Sequence, residues 1–106
     1  MYMENLLHIE EYIPYGRNNA IRRADLVNLI GMSDRVVRQM IEDARQSGVV
    51  IINMQDGRGY YRPERREDLE YYIRQEEGRA KSIHRNLKAA KKALRAIEGQ
   101  LTLDEM

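Results

Sequence analysis

Ala24–Val50, ADLVNLIGMSDRVVRQMIEDARQSGVV, is the stretch that decides how this chain folds. Leu26, Val27 and Ile30 recur at the spacing that gathers them on one helix face. Gly31-Met32-Ser33 interrupts that face. Glycine takes a left-handed turn that a side chain resists, and serine is a good helix N-cap. Beyond the turn Val36, Val37, Met40, Ile41 and Ala44 make a second apolar face, and Asp34, Arg35, Arg38, Gln39, Glu42 and Arg45 are left for water or a partner. The pattern predicts a helix from Arg23 to Ile30 and another, capped by Ser33, to about Ser47, closed by Gly48.

Working outward, Met3 to Tyr12 reads as a first helix with Leu6, Leu7 and Ile9 apolar, stopped by Pro14 and Gly16. Residues 17–21 read as a loop leading to a very short strand at Ala20-Ile21. Val49-Val50-Ile51-Ile52 is a β-branched run that suits a strand. Gln55-Asp56-Gly57-Arg58-Gly59 carries the Asp-Gly hairpin signal, Tyr60-Tyr61-Arg62 returns, and Pro63 ends the hairpin. One of Tyr60 and Tyr61 is expected in the core, with Tyr61 offered to a partner.

The order helix, short strand, helix, turn, helix, hairpin over residues 3–62 resembles the winged helix-turn-helix family. The apolar positions of that family coincide with Leu26, Ile30, Met32, Val37 and Met40, and its small turn residue with Gly31. Val27 departs from it, because a smaller side chain is usual at that helix contact. The small wing and polar tail also look like proteins of prophages and mobile elements in Gram-positive bacteria. The resemblance implies a mostly α fold with a small β-hairpin, followed by a long C-terminal coiled-coil-like helix. It implies sequence-specific binding of double-stranded DNA, as transcriptional regulation or mobile-element maintenance, with no enzymatic activity and no cofactor.

On that reading Ser33, Asp34, Arg35, Arg38 and Gln39 lie on the part of a helix that enters the major groove. Arginine and glutamine are the side chains that pair with guanine and adenine edges. Arg22, Arg23, Arg58 and Tyr61 are placed to touch the phosphate backbone.

After Pro63 the chain reads as helix from about Arg66 to Gly99. Leu69, Ile73, Glu76, Ala80, Ile83, Leu87, Ala90, Leu94, Ile97 and Leu101 are spaced alternately four and three apart, and only Glu76 is polar. A stripe held that long is a coiled-coil signal. It is expected to form a homodimer seam, with a fold-back at Gly78 onto its own domain as the alternative. The divisions are 1–63 for the compact domain, 64–101 for the helix and 102–106 for a frayed tail. Tyr71 and Tyr72 are expected to pack between helix and domain. Gln100-Leu101-Thr102-Leu103 resembles the sliding-clamp-binding peptide of bacterial replication proteins, but Asp104 stands where that peptide has an aromatic residue. A weak clamp-like contact is therefore the alternative to simple fraying.

The chain has 106 residues, 42% hydrophobic and 33% charged, which suits one small soluble domain with an appendage. A net charge of +1 is low for a nucleic-acid binder, but cations concentrate between 79 and 95 without an acid among them. The absence of cysteine removes disulfides and thiolate metal sites, and fits a cytoplasmic location. No apolar run approaches a membrane span, and the acidic N-terminal stretch is unlike a signal peptide. His8 and His84 lack ligand spacing, so no metal is expected. No paired carboxylates or nucleophile triad mark an active site, and Gly57-Arg58-Gly59 lacks the Lys-Ser/Thr of a phosphate loop. The alternative to DNA binding is a protein-interaction module, or a replication or packaging accessory, built on the same helices.

Overall fold

The structure is a computed structural model; it describes residues 8–104, with side chains to residue 100. It is mostly helical, with one small two-stranded antiparallel hairpin. The order is a 3-10 turn Ile9–Tyr12, a 3-10 turn Arg17–Asn19, α1 (Arg23–Ile30), α2 (Asp34–Gln46), β1 (Ile52–Met54), β2 (Gly59–Tyr61) and α3 (Arg66–Asp104). The chain divides into two compact units, Met1–Glu70 and Tyr71–Met106.

The expected helix ends are where the chemistry put them. Gly31 stands at φ +79 and its N–H closes α1 on the Val27 carbonyl. The Ser33 hydroxyl accepts from the Val36 N–H at 3.2 Å and starts α2. Val37, Ile41 and Ala44 turn inward from α2 and meet Leu26 of α1 with Ile9, Ile13, Ile51 and Tyr60. Val36 departs from the expected apolar face and is 42% exposed, because it lies about 100° around the helix from Val37. Met32, in the turn, is also exposed at 41%.

The N-terminal segment differs from expectation. Ile9–Tyr12 is a single 3-10 turn, and Met3 to Leu7 of the expected first helix lie outside the described residues. Pro14 lacks the N–H that would continue a helix. The segment is instead laced to the hairpin. Arg62 donates from its N–H to the Pro14 carbonyl at 2.7 Å and from Nε to the Ile13 carbonyl at 2.9 Å. Its guanidinium also sits 3.9 Å over the Tyr15 ring.

The first strand begins later than the β-branched run suggests. Gly48 (φ +104) reverses the chain, and the Val49 N–H still caps the Ala44 carbonyl at 3.0 Å. Pairing therefore starts at Ile52, opposite Tyr61, and runs to Met54 opposite Gly59. The expected short strand at Ala20-Ile21 is one bridge: Ile21 exchanges both backbone hydrogen bonds with Tyr60, at 2.9 and 2.8 Å.

The start of α3 is set by Asp68, buried to 9% exposure. Its Oδ2 accepts from the Glu64 and Arg65 N–H groups at 2.9 and 3.0 Å, so the first turn of α3 reaches back and holds the two residues before it. The helix then runs unbroken to Asp104, so the fold-back at Gly78 does not occur. A glycine inside a helix costs about 1 kcal/mol against alanine, too little to break one this long. Leu69, Ile73, Ile83, Leu87, Leu94 and Ile97 stand 42–57% exposed along it, with Ala80 and Ala90 exposed between them. Tyr71 and Tyr72 are half-buried, and the Tyr71 hydroxyl accepts from Gln75 at 3.1 Å. Among the described residues no helix is long and apolar enough to cross a membrane.

Candidate nucleic-acid interface

On α2 the residues 35, 38, 42 and 45 fall three, four and three apart, which puts them on one flank of the helix. That flank faces the hairpin across an open groove of about 450 Å³. Arg23, Arg35, Arg38, Gln39, Glu42, Arg45, Asn53 and Tyr60 supply its polar lining. Four guanidinium groups against one carboxylate make it a concave positive surface. Helix α2 spans about 20 Å, and an α-helix of ordinary width fits a DNA major groove.

The four arginines are not equivalent. Arg45 donates from Nε and Nη2 to the Ile51 carbonyl, at 3.1 and 2.8 Å, and so ties the end of α2 to the chain leading into β1. Arg23 donates from Nε to Asp34 at 2.6 Å. Hydrogen bonding to the Tyr60 side chain, and then to Asp34, holds its guanidinium above the ordinary arginine value. Among the described residues Arg35 and Arg38 have no such partners, and both are exposed.

Of the side chains expected to read bases, Arg35, Arg38 and Gln39 come together here. Gln39 donates to Asp43 at 2.8 Å, and its amide oxygen remains to accept. Ser33 lies outside the lining, with its oxygen already capping α2. The Asp34 carboxylate, expected at a base edge, pairs with Arg23, because a carboxylate in the first turn of α2 meets the guanidinium in the first turn of α1. Both side chains of that pair stay about half exposed. Tyr61 is a correction. It is 2% exposed, since its strand turns it into the core, and Tyr60 is buried as well at 7%.

Arg22 is exposed at the N-cap of α1. A cation there opposes the helix dipole, so it does nothing for the stability of the helix. Arg58 sits on the hairpin loop with its side chain 73% exposed and its Nε 3.0 Å from Asp56. Glu42 and Arg45, expected only to face water or a partner, also line the groove, and so does Asn53, which no sequence pattern singles out. The periodicity from 35 to 45 was a readable signal for the first two. Asn53 depends on the strand register, which no local pattern carries.

A separate basic surface lies on α3. Arg74, Lys81, Arg85, Lys88, Lys92 and Arg95 follow one helix face, roughly opposite the apolar stripe, and all six are exposed. The ion pairs Arg66–Glu70 and Arg79–Glu76 lie off that face.

Comparison with protein-family models, with curated proteins and with solved structures finds no match. The geometry alone therefore carries the functional argument.

Replacing Arg58 by alanine tests the hairpin loop. On the expectation of DNA binding, affinity for specific and random duplexes should fall by a similar factor, because phosphate contacts carry little base information. The slope of log affinity against log salt should fall by about 0.9. A loss confined to one sequence would make Arg58 a groove reader, and no loss would leave the loop purely structural.

Proposed function

We propose that the chain is a non-enzymatic, sequence-specific duplex-DNA-binding protein with a winged helix-turn-helix head. On this reading it works as a homodimer through α3, in transcriptional control or mobile-element maintenance. The observation that carries the reading is the pair Arg35 and Arg38, exposed on the flank of α2 that faces the hairpin across an open groove. Exposed arginines on a helix the size of a major groove suit base-edge recognition. The basic face of α3 offers phosphate contacts without sequence information.

The decisive experiment selects binding sites from random duplex DNA with the purified protein. An enriched sequence with two related half-sites supports the proposal, and the absence of any enriched sequence refutes it.

Arg38→Ala should then bring the affinities for the best site and for scrambled DNA together. A good bidentate base contact discriminates by about 1–3 kcal/mol. Unchanged affinities for both would place the reading elsewhere.

One observation favours a second reading, a protein-interaction module. Leu29, Met32 and Val36 are exposed at 58%, 41% and 42% around the α1–α2 turn, where a DNA reader gains little from apolar side chains. Together with the net charge of +1, that surface suits a protein partner.

A further inference from the structure

We infer that α3 pairs with α3 of a second copy in the antiparallel sense, centred near residue 85. The inference rests on the dimer reading above and adds the direction and register of the pair. The exposed stripe from Leu69 to Ile97 needs an apolar cover, and its four-three spacing fits another helix of the same spacing. Glu76, the polar member of the stripe, and the residues beside the stripe decide which way that helix runs.

In a parallel, in-register pair each seam residue meets its own copy. Glu76 would face the partner's Glu76 in one layer, two carboxylates in a drying seam. The flanking positions would set Arg79 beside the partner's His84, Asn86 beside the partner's Lys91, and Tyr72 beside the partner's Glu77. None is a pair of opposite charges.

Reversing the partner about residue 85 changes each of these layers. Ile83 faces the partner's Leu87, and Ala80 faces the partner's Ala90. Ile73 faces the partner's Ile97. Glu76 now faces the partner's Leu94, with the partner's Lys91 one turn away. On the flank Glu77 meets the partner's Lys91, and symmetry repeats the contact. The acidic turn at 76–77 and the basic turn at 91–95 are nearly equidistant from residue 85, so reversal brings them together.

One contact opposes the arrangement, Glu70 beside the partner's Glu98. It falls near the ends of the coil, where exposed charges are screened. Glu70 also already holds Arg66 at 3.5 Å. Most of the remaining cations do not oppose pairing, because Lys81, Arg85, Lys88, Lys92 and Arg95 point away from the seam.

The direction of the pair determines what the dimer can span. Antiparallel pairing sets the two copies of Leu69 about 48 Å apart along the coil, whereas parallel pairing sets them side by side. The two head units then join the coil from opposite ends.

Disulfide trapping tests the direction, since the chain has no cysteine of its own. Ala80→Cys and Ala90→Cys are made separately in the full chain, mixed under reducing conditions to exchange subunits, and then oxidised. The antiparallel pair gives covalent dimer in the mixture and none in either variant alone. Covalent dimer from each variant alone means a parallel coil and overturns the inference while leaving dimerisation intact. No covalent dimer in any sample overturns it as well. Because the readout is confined to the coil, it does not depend on whether the head binds DNA.

Discussion

Replacing Gly59 by alanine is expected to destabilise the head of this protein severely. Gly59 stands at φ +111, and a methyl group there would overlap the Ile21 carbonyl and the Arg22 nitrogen. Neither side can give way cheaply. Ile21 and Tyr60 exchange two backbone hydrogen bonds, and Gly59 itself pairs with Met54 on the other edge. Left-handed strain, overpacking and two strained hydrogen bonds add to about 4 kcal/mol. A small domain has about 5–15 kcal/mol in all. The measurement is thermal unfolding followed by the near-ultraviolet signal of the buried tyrosines, since α3 dominates the helical signal. Gly57→Ala is the control. Gly57 also has positive φ, at +83, but nothing lies within 4 Å of the added atom, so about 1 kcal/mol is expected. Equal melting of the two variants would mean that Ile21 does not cross the hairpin this closely.

Leu87→Asp should leave the chain monomeric where the proposed α3 pairing makes it a dimer. Leu87 occupies a central layer of the proposed coil, where the second copy repeats the change, so two buried carboxylates enter adjoining layers. Sedimentation equilibrium over a range of concentrations reads the result directly. The head carries its own core, so the variant should keep the unfolding transition of its tyrosines. DNA affinity should fall by a factor on the order of 10²–10⁴, because the second half-site contact becomes intermolecular. A wild-type chain that remains monomeric at high micromolar concentration would remove the seam and the paired half-sites together.

The residues show why some features were legible beforehand and others were not. Gly31, Ser33 and the 37-41-44 face act within a turn or two of themselves, so spacing alone located α1 and α2. The α3 stripe is equally local. From Ile9 onward the N-terminal segment departs from a regular helix, and its partner, Arg62, lies 49 positions from Ile13. The same limit hid the role of Gly59, which is decided by Ile21 crossing the hairpin. In the candidate interface the outward faces of Arg35 and Arg38 followed from helix period. The bond from Arg23 to Asp34 and the burial of Tyr61 did not, because both depend on how separate elements meet.

On the proposed reading, the Arg45 fork on the Ile51 carbonyl has a consequence for the thermodynamics of recognition. It clamps the C-terminal end of α2 to the strand that forms the facing wall of the groove, and the Ile21–Tyr60 bridge holds that wall from behind. The groove is thus stiffened during folding, before any ligand arrives. A partner entering it meets side chains that must still be ordered, Arg35 and Arg38, but a backbone that is already in place. The entropic cost of association falls on two arginines and not on a loop, which leaves more of their interaction energy to appear as affinity.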